Sequence, residues 1–393
     1  MINNNPISEE LFNSMKKDRV VRQQIMSGSF NYFFHFYFAH YVQFPTAAFQ
    51  RDLIGKLENE PDEHLFVVAF RGSGKSTIVT TAFPIWAILG KQEKKFVVIF
   101  CQTRVQAKQH MMNIRNELEN NQLLKNDLGP FSEESDEWGS HSIVFSNTKA
   151  RITVASTEQS IRGLRHHQHR PDLFICDDVE DVASTKTREG RNKTYQWLTG
   201  DVIPAGDQGT RLIVIGNLLH EDSLLMRLRE RVFKKELDGT FMSCAIADAK
   251  GKSNWPGKFP NAKALDKERK KIGDEVAWQR EYLLNIIPDD DQVIHPDWIQ
   301  YYHADQLPPT TTKAYRATYS GVDLAISVKD TADCTAMVSA RIYGRNEKLR
   351  VFIMPQPYNQ RLTFPQQVEL MKVHKKTVLD RSYDKLIIEN VGY

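Results

Sequence analysis

The pattern of apolar positions changes character along the chain. Residues 1–50 read as helical, and the aromatic-dense Asn31-Tyr-Phe-Phe-His-Phe-Tyr-Phe-Ala-His40 is expected to pack against the domain that follows. From Leu65 onward, short apolar runs alternate with helical stretches. Leu65-Phe-Val-Val-Ala69 predicts a buried strand, followed by a Gly-rich turn and a helix from about Lys75. Lys95-Phe-Val-Val-Ile-Phe-Cys101 predicts a second strand, with a helix over Val105–Leu124. Ile143–Phe145 and Arg151–Ala155 form either a hairpin or two separate strands, and Leu173-Phe-Ile-Cys176 and Arg211-Leu-Ile-Val-Ile-Gly216 add two more buried strands. Strands and helices alternating in this way predict an α/β fold with a mostly parallel sheet.

Residues 250–313 break the rhythm. Asn254-Trp-Pro-Gly, Asp289-Asp-Asp-Gln and Pro308-Pro-Thr-Thr-Thr-Lys313 mark a linker or connecting subdomain. A second α/β pattern starts near Ala314: strand Arg316–Asp323, strand Cys334–Tyr343, strand Lys348–Met354, a helix over about Phe364–Leu379, and strand Lys385–Glu389. The expected organisation is a helical segment at 1–50, a first α/β domain at 51–249, the connection at 250–313 and a second domain at 314–393.

Composition narrows the classes. A length of 393 residues is too much for one ordinary domain. Hydrophobic and charged contents of 41% and 26% exclude wholesale disorder, collagen and coiled coil. No apolar run approaches the roughly 18 residues of a membrane span, and the polar start gives no secretory signal, so a reducing cytoplasm is expected. The four cysteines lack CxxC spacing and read as buried thiols. A net charge of +3 neither demands nor excludes nucleic acid.

Ala69-Phe-Arg-Gly-Ser-Gly-Lys-Ser76 follows a predicted strand and opens a predicted helix, the context a phosphate-binding loop requires. The backbone N–H groups of Gly72, Ser73, Gly74 and Lys75 would face phosphates, helped by the helix N-terminus. Lys75 would reach the β- and γ-phosphates of ATP, and Ser76, with Thr77 as the lesser candidate, would hold Mg²⁺. The usual first glycine is Ala69 here. Arg71, inside the loop, either contacts the γ-phosphate or pairs with an acid.

Leu173-Phe-Ile-Cys-Asp-Asp-Val-Glu-Asp181 ends a buried strand in carboxylates. Asp177 is the metal-side acid. Asp178 is the favoured water-activating residue, with Glu180 as its rival. Asn217, at the end of the strand Arg211–Gly216, is placed as a γ-phosphate sensor on a neighbouring strand, with the acidic strand beside the loop strand.

This ordered series resembles the large terminase subunit of tailed bacteriophages and prophages. Pro45…Phe49-Gln50 resembles that family's adenine-recognition segment, with Gln50 as its nucleotide contact. Phe70–Thr77 resembles its Arg-containing Walker A, Arg170–Glu180 its Walker B, and Ile215-Gly-Asn-Leu-Leu-His-Glu-Asp-Ser-Leu224 its coupling motif. Trp255-Pro-Gly-Lys-Phe259 and Ala277-Trp-Gln-Arg-Glu-Tyr282 resemble segments that precede its nuclease domain. The resemblance implies an ATP-driven motor pushing viral double-stranded DNA through a portal protein into an empty capsid. It also implies a small terminase subunit as partner, a homo-oligomeric ring on the portal, no membrane association, and work in the cytoplasm of the bacterial host. Arg162, in Ser160-Ile-Arg-Gly-Leu-Arg165, is either an arginine finger or a solvated turn. Arg165-His-His-Gln-His-Arg170 is a candidate phosphate contact.

The second domain matches the opening of a ribonuclease H-like fold. Asp323 and Glu389 end strands that lie side by side in that fold, and would bind Mg²⁺ or Mn²⁺ for a metal-dependent endonuclease. Ser320–Ala325 and Ile387–Gly392 also resemble terminase nuclease motifs, and Asp333 is a further candidate ligand or a turn acid. The family's third metal acid is absent before Tyr393, so the expectation is ATPase competence with feeble or no DNA cleavage. Three alternatives stand beside this reading: a superfamily-two-type helicase or remodelling ATPase, a nucleotide kinase, and a nucleotide-binding capsid or portal adaptor without turnover.

Overall fold

The computed structural model describes residues 14–15, 17–59, 63–132, 138–159, 161, 163–286, 300–325, 334–355, 357–379 and 381–389. The chain divides into two units, Met1–Asp290 and Asp291–Tyr393.

The first unit opens with helices α1 (Arg19–Gly28), α2 (Phe30–Tyr37) and α3 (Ala48–Asn59). Asp18 caps α1 by accepting the amides of Val20 and Val21, and Ser29 caps α2 by accepting that of Tyr32. Phe30, Phe33, Phe34 and Tyr37 are buried, and Phe30 packs on Phe83 and Trp86 with ring centroids 5.3 and 5.4 Å apart. The aromatic run is therefore core, and burying rings of that size is what fixes α2 to the sheet domain.

Seven strands form its sheet: β1 (Leu65–Ala69), β2 (Phe96–Cys101), β3 (Ser142–Val144), β4 (Arg151–Ser156), β5 (Leu173–Asp177), β6 (Arg211–Gly216) and β7 (Thr240–Cys244). The order is β3-β4-β2-β5-β6-β1-β7, with every pairing parallel except β3 on β4. Every residue of β1, β2, β5 and β6 is buried. Helices cover both faces, which is why these strands read as unbroken apolar runs. Strand β7 is half-buried and mixes Thr, Phe, Met, Ser and Cys, so no apolar run announced it.

Two expectations are corrected. The acidic strand β5 does not lie beside the loop strand β1, because β6 is inserted between them. The connection leaving β5 runs through α7 (Val182–Lys186) and α8 (Arg188–Trp197), and this crossover returns the chain to the gap between the two. The helix expected over Val105–Leu124 is two helices, α5 (Arg104–Asn120) and α6 (Gln122–Leu128). Asn121 takes extended backbone at the break, and its side chain accepts the Leu124 amide to cap α6.

After β6 come α9 (Leu224–Phe233), then α10 (Ala262–Ile272) and α11 (Glu275–Trp278). Trp255, Phe259, Leu265 and Trp278 form a separate apolar cluster with Ala47 and Phe70. Phe70 directly follows β1, so this cluster brings the 250–286 stretch over the end of the loop strand.

The second unit is built on β8 (Tyr315–Asp323), β9 (Thr335–Tyr343), β10 (Arg350–Ile353), β11 (Tyr358–Gln360), α12 (Phe364–Thr377) and β12 (Lys385–Ile388). Strands β8, β9 and β10 meander antiparallel, β12 returns parallel beside β8, and the short β11, not foreseen, pairs with β9. Buried and exposed residues nearly alternate along β8, as on a sheet with one covered face. Among the described residues no helix is long and apolar enough to cross a membrane.

Candidate active site

The loop after β1 is shaped by two glycines. Gly72 and Gly74 have φ of +77° and +86°, a region that strains any side chain. A Cβ on Gly74 would also sit 3.2 Å from Gln50 Nε2. That Gln50 is buried in the first turn of α3. Its Oε1 accepts the Ala47 amide at 2.9 Å and its Nε2 donates to the Ser73 carbonyl at 2.7 Å. The predicted nucleotide contact upstream is thus bonded directly to the loop. Ser73 Oγ is buried without a protein partner.

The ends of β1, β5 and β6 converge beside this loop. Lys75, almost fully buried, donates from Nζ to Asn217 Oδ1 at 2.7 Å. Ser76 Oγ donates to Asp177 Oδ1 at 3.2 Å, and Thr80 Oγ1 donates to Asp177 Oδ2 at 2.7 Å. His110 on α5 approaches Asp177 Oδ2 from behind, with Nε2 at 3.6 Å, while its Nδ1 is buried and unpartnered. Thr77 starts a π-helical turn (Thr77–Ala82) that runs into α4 (Phe83–Leu89). A hydroxyl and a carboxylate oxygen side by side are a hard donor set suited to Mg²⁺.

Asp178 takes φ +46°, turning the chain at once after β5, and its amide donates to the Ile215 carbonyl. Burial pushes its carboxyl above the usual range, Lys75 opposes this, and Asp177 adds to it. Glu180 faces elsewhere. Its Oε2 accepts the Leu224 amide at the start of α9 at 2.8 Å, and its Oε1 is buried without a partner. Burial pushes Glu180 up to about 7, against the Leu224 amide and Arg227.

Arg71 pairs with an acid in this structure: its guanidinium lies 2.7 Å from Glu281 Oε2, and its amide donates to the Glu281 carbonyl. A cavity of about 230 Å³ lies next to the loop; its lining includes Gln50, Gly74, Thr77, Phe44, Trp255 and Lys258.

The remaining candidates separate. Arg162 and Asp333 lie outside the described residues. His166 is buried, its Nε2 on the Lys149 carbonyl, and it closes a tight turn with His169. In the second unit, the Glu389 amide donates to the Val322 carbonyl at 2.9 Å, and Ile388 pairs with Val322 in the parallel register. Glu389 therefore stands opposite Asp323 at the strand ends. Among the described residues no group of three His, Cys, Asp or Glu side chains is placed to hold a metal ion.

Three residues at the site escaped the sequence reading. Thr80 lies four positions after Ser76, a spacing that puts both hydroxyls on one face of a helix, so it was findable. His110 and Lys258 gave no such signal.

No protein family and no curated protein matches the sequence. Among solved structures, the chain is similar to the large terminase of a thermophilic bacteriophage at 10% identity and a TM-score of 0.40, covering 88% of this chain and 78% of that one. A structure of that terminase in complex with ADP matches at 11% identity and a TM-score of 0.40, covering 88% and 77%. The HK97 bacteriophage large terminase matches at 18% identity and 0.44, covering 87% and 69%. The DEAD-box helicase Mss116, bound to ssRNA and UDP-BeF, matches at 13% identity and 0.34, covering 54% and 43%.

Proposed function

We propose that the chain is an ATP-hydrolysing DNA-packaging motor of the large-terminase kind. The observation that carries this is the meeting of Lys75, Ser76, Asp177 and Asn217 at three adjacent strand ends, out of segments far apart in the sequence. Gln50, Gly72, Ser73, Gly74 and Thr77 complete the nucleotide side.

In this reading the loop amides and Lys75 bind the β- and γ-phosphates, and Ser76 and Asp177 would hold Mg²⁺, which would supply charge neutralisation for the transferring phosphoryl group. Asp178 orients the attacking water and takes its proton. Two points support Asp178 over Glu180. The Lys75 charge acts on Asp178, whereas Glu180 is engaged with the α9 amide and the Arg227 side. Asn217 accepts from Lys75 and lies on the path from β6 into α9, so a γ-phosphate drawing Lys75 away would release Asn217 and couple hydrolysis to that path. Arg71, held by Glu281, is the cation available to the γ-phosphate once that pair opens.

The helicase alternative calls for a second motor domain; the second unit instead carries an antiparallel meander with one returning strand. Double-stranded DNA, a portal protein, a small terminase subunit and a homo-oligomeric ring are the partners this reading entails. Asp323 and Glu389 would hold a divalent ion, Mg²⁺ or Mn²⁺. ATP turnover stimulated by portal and DNA, and abolished by Lys75→Ala, tests the motor reading; unstimulated turnover at the wild-type rate in that variant would sink it.

A further inference from the structure

The loop has a cation beside it that the reading above does not use. Lys258 follows Trp255-Pro-Gly, in the stretch expected to be a connection. Its Nζ donates to the Gly72 carbonyl at 3.0 Å and lies 3.6 Å from where a Gly72 Cβ would be. The ammonium stands over the rings of Trp255 and Phe259, at 4.9 and 5.4 Å from their centroids. Those rings belong to the apolar cluster that packs on Phe70, so the side chain is aimed at the loop by the core itself. Lys258 also lines the cavity shared by Gln50, Gly74 and Thr77.

An ammonium has three N–H donors. Here one carbonyl accepts, and among the described residues Lys258 forms no ion pair. Burial lowers its pKa, with Glu268 only partly opposing that. A half-desolvated cation in no ion pair among the described residues, standing over two rings at the mouth of a phosphate loop, has the chemistry to receive an anion.

We propose that Lys258 is a further nucleotide-binding residue, which leaves the Gly72 carbonyl to contact the phosphate oxygens of a nucleoside di- or triphosphate seated in the loop. This rests on the phosphate-loop reading and extends it to a residue beyond the sheet. Charge, rather than packing alone, is what Lys258 supplies, so its removal should discriminate between ligands with and without phosphates.

Isothermal titration calorimetry of the full chain with ATP and with adenosine tests this, using Lys258→Met and Lys258→Arg. Loss of a charge-assisted hydrogen bond should weaken ATP binding by roughly ten- to a hundredfold in Lys258→Met. Adenosine affinity should be unchanged, and Lys258→Arg should retain most of the ATP affinity. Lys258→Gln, still able to donate to Gly72, replaces the Met variant if that one unfolds, with the same expected loss. Wild-type ATP affinity in the neutral variant overturns the proposal, as does a parallel loss for ATP and adenosine, which would mark a packing role. If the wild-type chain binds no ATP, the phosphate-loop reading itself fails and this inference with it. Intact ATP binding in the wild type with an indifferent Lys258→Met would remove the inference alone.

Discussion

Thr80 and Asp177 share a buried hydrogen bond of 2.7 Å, from a hydroxyl with no solvent exposure to Oδ2 of the acid that ends β5. Ser76, one turn earlier on the same helical face, reaches the other oxygen at 3.2 Å. The carboxylate is therefore gripped at both ends by one helix, and its plane is set before any ligand arrives. Its two oxygens are not equivalent: Oδ2 is spent on Thr80 with His110 behind it, leaving Oδ1 toward the loop.

Removing that grip should destabilise the first unit. Thr80→Val keeps the side-chain shape and leaves Oδ2 buried without its donor. A hydrogen bond to a charged group contributes about 1.5–3 kcal/mol. Urea unfolding should show a loss of that size in Thr80→Val and much less in Thr80→Ser. Equal losses in both variants would show that the hydroxyl is not what matters.

ATP turnover should depend on Lys75 and on Asp178. Lys75→Ala should abolish hydrolysis. Asp178→Asn should lower kcat by roughly a hundred- to ten-thousandfold, the range for loss of a general base. Glu180→Gln should keep most of the activity, since its carboxyl faces α9. Loss of turnover in Glu180→Gln alone would transfer the base role to that residue.

Glu180 also makes stability depend on pH. Its carboxyl rises from 4.5 to about 7 in the folded chain because burial penalises the charge. The folded state therefore holds the proton more tightly than the unfolded one. The associated stability is fully present below about pH 4.5 and is lost as pH rises through about 7. The Leu224 amide, Arg227 and Arg191 oppose the shift and Asp222 adds to it. Between pH 5 and pH 8, wild type should lose up to about 3 kcal/mol relative to Glu180→Gln. Parallel pH profiles for the two proteins in denaturant titrations would contradict this.

If the chain is the packaging motor proposed above, duplex DNA should bind through its phosphates, since such a motor must accept every sequence. A footprint of six to ten phosphates would lose roughly 10³–10⁵ in affinity between 50 and 200 mM salt. Fluorescence anisotropy with two unrelated duplexes should give the same steep slope. A salt-insensitive, sequence-selective complex would rule out this mode of binding.

The strand ends of the second unit should bind a divalent ion if Asp323 and Glu389 act as proposed. Asp323 ends β8, and Glu389 follows β12 with its amide on the Val322 carbonyl, so the backbone brings the two acids to neighbouring strand ends. Mn²⁺ titration should detect a weak site that disappears in Asp323→Ala. An unchanged Mn²⁺ isotherm in Asp323→Ala would remove the site.

The local pattern carried much of this molecule. Leu65–Ala69, Phe96–Cys101, Leu173–Asp177 and Arg211–Gly216 are apolar throughout because both faces of their strands are covered, so burial wrote itself into the sequence. The loop was legible because glycines at 72 and 74 allow positive φ between a strand and a helix, with Lys75 and Ser76 at fixed offsets. The meander of the second unit could be read from its run lengths.

Strand order was not in that pattern. A buried parallel strand looks the same at any place in the sheet, so nothing local said that β6 would separate β1 from β5. Nor did it say that Asn217 would bond Lys75 directly, or that Glu180 would turn to the α9 amide. His110 and Lys258 lie on amphipathic or irregular segments, where a polar residue is ordinary. Their places are set by what packs beneath them, α5 against the sheet and Trp255 with Phe259 against Phe70. Periodicity records which face of an element is buried; which two faces meet is settled only when the whole core is packed, because the apolar surfaces that drive the meeting are not directional.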